Sequence, residues 1–412
     1  MNIGPIIGYS YINTFKSADA KLEAAATRDA NEIQEASSSP SSGASGNIEA
    51  LLLCGLGIAG ALVTKGASLL ACAPILSGCN NRAVGYDPDA QVDEDAMPLD
   101  VQVVDAQMPD ASIEICDPGP HSHYLQVPAS YPTIQEAINQ AQKGDVVQLA
   151  VGTYEIDGPI YMKECTHIYG SGRDVTVLKR NSIAYGIQMT NGCSIHGLEI
   201  QGYLDSQGMS VHVLANKASI TDCTFRGFGD IGVYVVGQGE DSIIHIENNI
   251  FVGEDIAPVL NSFNGILIYG NTFGEIKGNI FENYLAGIGL AGSSVRIRNN
   301  EFRSDWYNSV AIGISYHPDF ENANPNLGEI NDPGNNIFDA AGYYVTVGED
   351  FNMDINCRGN YFDSATREEM TLHPDPYAAD ADITKLLDRH DTASPTASDF
   401  STIDYRDFKT IN

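Results

Sequence analysis

The chain predicts an all-β solenoid, a single-stranded right-handed parallel β-helix closed at its start by a short capping helix. Three observations carry this prediction. A six-residue motif recurs seven times, as IHGLEI (ending at Ile200), ITDCTF (Phe225), IENNIF (Phe251), IKGNIF (Phe281), IRNNEF (Phe302), PGNNIF (Phe338) and CRGNYF (Phe362). The copies follow one another at intervals of 25, 26, 30, 21, 36 and 24 residues. A period of that size marks stacked units, each burying its apolar face against the next. The region 185–363 is also dense in Gly, Asn and β-branched residues, with no sustained period near 3.6, which disfavours stacked helices.

Each motif position has a physical reason. Ile stands five residues before the anchor in five copies (Ile195, Ile220, Ile246, Ile276, Ile297), and Cys193, Ile244 and Val295 lie two residues earlier. That alternation is the inward period of a strand. Two residues before the anchor stands Asn249, Asn279, Asn300, Asn336 or Asn360. Asn tolerates left-handed backbone and suits a sharp corner, and stacked amides can bond one another as a ladder. In this register Cys223 takes the corner position in the second copy and Pro333 takes the usual Ile position in the sixth. An antiparallel β-sandwich is the main competitor. It needs hairpin turns and leaves one corner motif recurring at the same phase unexplained.

Ahead of the repeats, residues 125–154 read LQVPASYPTIQEAINQAQKGDVVQLAVGTY. Thr133 can cap a short amphipathic helix with Ile134, Ala137 and Ile138 on one face, ending before Gly144. A strand from Val146 to Leu149 and a turn at Gly152 follow. This stretch resembles the N-terminal cap of pectate-lyase-like β-helix proteins. The resemblance continues through THIYGSGRDVTVL (166–178) and, at the far end, GNYFDS, ADITKLLDRHD and STIDYRDF, covering roughly residues 122–410. It implies the fold and says little about activity. The enzyme motifs of polygalacturonase-like, pectate-lyase-like and pectin-methylesterase-like members are mostly missing here. Only Arg296-Ile297-Arg298 and Gly152-Thr153-Tyr154-Glu155 echo them, both within repeat or cap strands.

The formal charge is −32, from 54 acidic and 22 basic residues. That excludes a phosphate-neutralising nucleic-acid binder. An apolar run from Leu51 to Val63 is interrupted by Lys65 and ends in Leu76-Ser77-Gly78-Cys79. A short apolar segment followed by small residues is the pattern of an export signal. The last four residues resemble the lipobox of bacterial lipoproteins, which implies cleavage before Cys79 and a diacylglycerol on its thiol. A single transmembrane helix over 50–78 is the alternative, with Lys65 placed where charge is costly. Residues 1–49 then read as a disordered extension, or as sequence upstream of a true start near Val63. Residues 80–120, with ten acidic side chains between Asp87 and Asp117, read as a solvated linker. The β-helix is expected over 121–363 and a C-terminal cap over 364–412.

Cysteine usage adds little. Five remain beyond Cys79 (Cys116, Cys165, Cys193, Cys223, Cys357), an odd number without C-x-x-C spacing, so at least one thiol is expected free. His121 and His123 alternate in the linker without Met or Cys support and read as incidental.

Chemistry is expected where the repeat breaks. The 36-residue interval holds His317, Asp319 and Glu321, acid, base or calcium-ligand types, just after Trp306 and Tyr307. An exposed aromatic pair beside carboxylates suits sugar binding, whereas a solvated loop with Trp306 covering the coil edge is the plainer alternative. The 30-residue interval contributes an extra turn, GNTF (270–273), with no chemistry. No metal site or cofactor is expected, calcium being the ion the loop's oxygens would suit. The expected function is therefore an envelope-tethered, non-catalytic β-helix that binds or displays polysaccharide or a protein partner. A polysaccharide lyase or glycoside hydrolase acting near 303–335 is the alternative.

Overall fold

In the computed structural model, the described residues are Cys116 and 122–411, apart from 182–185, 203–207, 228–230, 238–241, 254–263, 316–322, 349–350, 352, 379 and 389–400. Cys79, His317, Asp319, Glu321, the expected signal segment and, apart from Cys116, the expected linker lie outside them. No helix among the described residues is long and apolar enough to cross a membrane.

The strands sort into three long sheets of eight, nine and ten members, within which neighbours lie three strands apart along the chain except in three closer pairs, plus one two-stranded pair. The chain thus visits the three sheets in turn and advances one rung per circuit. Sheet A carries the motif's first half, as in Cys193–His196, Lys217–Thr221, Ile243–Glu247, Phe273–Lys277 and Arg296–Arg298. Sheet B carries its second half, as in Thr224–Arg226, Ile250–Val252, Ile280–Glu282 and Glu301–Ser304. Sheet C closes each rung, as in Met209–Val213, Ile231–Val236, Asn264–Tyr269, Ala286–Ala291 and Val310–Ser315. Pairing is parallel and in register, Ile195 beside Ile220, then Ile246, Ile276 and Ile297. This excludes the antiparallel sandwich.

Inside the coil, like residues stack on like. Phe225, Phe251, Phe281, Phe302, Phe338 and Phe362 are fully buried. Their ring centroids are spaced 4.8, 4.9, 4.8, 5.3 and 5.3 Å apart, with planes within 15° of parallel. The stack needs room from sheet C. A Cβ on Gly265 would sit 2.7 Å from Phe281 Cδ1, so the position facing the ring holds glycine.

The expected amide ladder is present. Each Asn Nδ2 donates to the next Asn Oδ1, from Asn249 to Asn279 (3.0 Å), Asn300 (3.0 Å), Asn336 (3.0 Å) and Asn360 (2.9 Å). The same oxygens accept the backbone N–H of the preceding Asn at 2.9–3.0 Å, and Asn249 Oδ1 accepts that of Cys223. Each Nδ2 also donates to the inward carbonyl of the rung behind, Ile220, Ile246, Ile276, Ile297 and Leu327 in turn.

Three details of the sequence reading are corrected. The ladder Asn does not make the left-handed turn. The residue before it does, at Gly197, Asp222, Asn248, Gly278, Asn299, Asn335 and Gly359, with φ between 51° and 68°. Turning and bonding are therefore divided between two adjacent residues. Pro333 is not the counterpart of the rung Ile. The Ile297 N–H donates to Asn326 O and the Leu327 N–H to Asn356 O, so fully buried Leu327 takes the Ile position and some of the extra residues bulge out after it. Finally, GNTF is the ordinary turn from sheet C into sheet A. The surplus of the 30-residue interval falls between Val252 and Asn264.

The cap follows the sequence reading closely. Helix α1 (Ile134–Gln140) has Thr133 as N-cap, accepting from the Glu136 N–H, and buries Ile134, Ala137 and Ile138. Val146–Leu149 forms the next strand. At the other end, helix α2 (Ser364–Leu372) is capped by Asp363. Beyond it, Leu386–Leu387 and Lys409–Thr410 add the last strands of sheets C and B. The segment after residue 363 thus extends the coil as well as ending it.

Replacing Asn300 with Ala is expected to cost about 2–4 kcal/mol, because it orphans the Asn279 amides and the Ile276 carbonyl in the interior. Chemical denaturation checks this, and a loss below about 0.5 kcal/mol would contradict it. Asp363 supplies a pH signature. Burial would raise its carboxyl, but hydrogen bonds from Tyr344, Thr366 and Lys385 outweigh that and hold it at about 2. A carboxylate lowered below its unfolded value of about 3.9 stabilises fully above that pH and loses the contribution as pH falls through about 2. The stability difference between wild type and Asp363→Asn should therefore shrink between pH 4 and pH 2.

Candidate functional site

Inward Ile residues on sheet A leave the alternate positions facing out, and these align from rung to rung. One outward column runs His167, Ser194, Ser219, His245, Glu275, Arg296. The next runs Tyr169, His196, Thr221, Glu247, Lys277, Arg298. Rungs of a parallel sheet lie about 4.8 Å apart, so the columns are regular rows of polar side chains on a rigid support.

Hydrogen bonds and ion pairs run along and between the columns. His167 Nδ1 lies 2.7 Å from Ser194 Oγ, and His196 Nδ1 lies 3.0 Å from Thr221 Oγ1 and 3.5 Å from Asp222 Oδ2. His245 Nδ1 is 2.9 Å from Glu247 Oε1, and Lys277 Nζ is 3.7 Å from Glu275 Oε2. The hydrogen bond from His245 holds the Glu247 carboxyl below the usual carboxylate range, against the opposing effect of burial. Glu247 is therefore charged at neutral pH.

Both ends of the face are covered. At the first, a disulfide joins Cys116 to Cys165, and Cys116 O lies 2.6 Å from His167 Nε2. Cys193, Cys223 and Cys357 are free thiols, all buried. At the other end, Asp332 from the long insertion meets Arg296 Nη2 at 2.5 Å and Arg298 Nη2 at 2.6 Å. Arg298 is buried, and both guanidiniums hold the Asp332 carboxyl low despite its partial burial. Between these covers His196, Asp222, His245, Glu247, Glu275 and Lys277 are partly open to solvent, at 20–49% exposure, whereas Ser219 lies at 9%.

The residues singled out in the sequence fare differently. Trp306 is buried at 8% exposure, whereas Tyr307 is exposed at 79%. They do not form an open aromatic pair, and the Trp306 ring lies within the protein. His317, Asp319 and Glu321 fall in 316–322, outside the described residues. Of the described carboxylates between 303 and 335, Asp332 is engaged by arginines and Glu329 by the Asn326 side chain, while Asp305 is exposed.

The juxtaposition of His245, Glu247 and Glu275 was not singled out. It was readable only from the outward positions of IIHIE and FGEIK once their register was known. His245, Glu247 and Glu275 each offer one ligand atom, and these atoms all lie within 4.8 Å of one another.

Residues 209–367 match the family described as right handed beta helix region. The protein is a right-handed parallel β-helix. Three solved structures are similar at low identity. The Streptococcus pneumoniae surface protein and adhesin PfbA is 10% identical, over 67% of this chain and 92% of that one, with a TM-score of 0.31. The PL6 family alginate lyase AlyGC is 14% identical, over 59% of this chain and 38% of that one, at 0.29. The Azotobacter vinelandii mannuronan C-5 epimerase AlgE4 A-module is 13% identical, over 53% and 85%, at 0.20. Comparison with curated proteins finds no match.

Proposed function

We propose that this β-helix is tethered at a bacterial cell envelope through lipid on Cys79 and binds an extended polysaccharide along sheet A without cleaving it. The outward row from His196 to Lys277 carries the binding half of this reading. It offers hydroxyls, imidazoles and carboxylates at a fixed repeat along the coil axis, which suits a linear polymer better than a compact ligand. A net charge of −32 favours a neutral polymer over a polyanion and argues against nucleic acid. Export is supported by the apolar segment ending at Cys79 and by the Cys116–Cys165 disulfide, a bond that persists in oxidising compartments. The catalytic alternative draws no support from Glu329 and Asp332 of the long insertion, which are paired with an amide and with arginines.

Purified protein passed over immobilised neutral and uronic-acid polysaccharides should be retained on at least one polymer and release no shortened chains. Ser219→Arg and Thr221→Arg should each lower that retention at least tenfold, since a long side chain there blocks the row. Retention unchanged in both variants would place the polymer elsewhere. Cleavage abolished by His317→Ala or Asp319→Ala would replace binding with catalysis. For the anchor, wild-type protein expressed in bacteria should enter the detergent phase on Triton X-114 partitioning, and Cys79→Ser should move it to the aqueous phase. An identical distribution for both would remove the lipid from the proposal.

A further inference from the structure

Two adjacent rungs of sheet A bring an imidazole and two carboxylates to one spot on the outer face, and nothing in the fold requires them there. The core beneath is built by Ile244, Ile246 and Ile276, which would be equally served by Ser or Thr outside, as on the preceding rung at Ser219 and Thr221. We propose that His245, Glu247 and Glu275 form a binding site for a borderline divalent cation such as zinc.

Geometry supports the site first. The three ligand atoms lie within 4.8 Å of one another. A tetrahedral zinc with bonds of about 2.1 Å needs neighbouring ligand atoms about 3.4 Å apart. His245 Nδ1 and Glu247 Oε1 stand 2.9 Å apart in a hydrogen bond, which must open by about 0.5 Å with the imidazole proton held on Nε2 for a cation to enter, and side-chain rotation can bring in Glu275. His245 and Glu247 are outward neighbours on one strand, and Glu275 stands directly beside His245 on the next, so ordered backbone sets all three. Their side chains are only 20–30% exposed, which reduces competition from water without closing the entry path.

Charge supports it second. Glu247 is ionised. Glu275 is met by Lys277 at a loose 3.7 Å and stands between His245 on one rung and Arg296 on the next. The strongest cations on the following rung, Arg296 and Arg298, are engaged by Asp332. The two carboxylates thus keep net negative charge that an incoming cation would neutralise, with Lys277 swinging outward. The donor set selects the ion class. One imidazole nitrogen with two carboxylate oxygens suits zinc, cobalt or nickel, whereas calcium takes six to eight oxygens. Three protein ligands leave a fourth position for water or for a hydroxyl of whatever lies on the face. The site stands independently of any polymer, so its test contains none.

Calorimetric titration of the whole, metal-stripped protein with zinc chloride should show one saturable site beyond weak association with the surface acids. Cobalt at the same site should give a visible d–d absorption band that added zinc bleaches. His245→Gln, Glu247→Gln and Glu275→Gln should each weaken zinc binding at least tenfold and remove the band, while His196→Gln, two rungs back, should retain both. Circular dichroism confirms folding of each variant, and the three ligand variants together keep the result readable if one misfolds. No saturable site in the wild type, or wild-type affinity in folded ligand variants, would overturn the proposal. Loss of the site in His196→Gln with retention in the other three would do so as well.

Discussion

The buried amide ladder from Asn249 to Asn360 is the constraint on which the coil depends. Every rung must turn sharply between sheets A and B, and each turn leaves backbone amides and carbonyls pointing into a dry interior. One side chain type resolves this. The Asn oxygen accepts both the backbone and the side-chain N–H of the rung before, while its own amide reaches the carbonyl behind. An orphaned buried amide costs about 1–3 kcal/mol, so the ladder fixes where the corner falls in each turn from Asn249 to Asn360. With the corner fixed, the Phe two residues later must land over the Phe below. The repeat seen in the sequence is the trace of that double registration.

The same registration builds the outer face. Because side chains alternate strictly along a strand, setting the inward Ile also sets which residues face out, and a one-residue slip would exchange them. Ser219, His245 and Glu275 form a column only because Ile220, Ile246 and Ile276 do. The fold thus turns a core constraint into a ruled surface. Its variation in chemistry, from hydroxyls to His and Glu to Arg, costs the core nothing. That separation of scaffold from surface is why a β-helix can host binding at almost any rung.

Where the repeat lengthens, the coil absorbs the extra chain without losing register. Leu327 replaces the missing Ile, Asn336 still bonds Asn360, and part of the surplus bulges out to place Asp332 on two arginines. The interval length revealed that an insertion exists. Which residue resumed the strand was hidden, because Leu327 has no motif around it and Pro333 sits at the expected count. The same limit applies to the turn. Asn248 and Asn249 are both competent for a left-handed corner, and only the packing decides that the first turns while the second bonds.

The sequence by itself determined the solenoid, its core residues, the capping helix with its Thr133 N-cap, and the amide ladder, because each follows from local preference repeated in phase. It also carried the composition arguments on charge and export. Tertiary structure alone decided what meets what across rungs. It buried Trp306 while leaving Tyr307 in solvent, joined Cys116 to Cys165, and set His245 and Glu247 beside Glu275. The physical reason is distance along the chain. Residues about 30 positions apart become neighbours only after each rung has closed at its own length, and those lengths vary with every insertion.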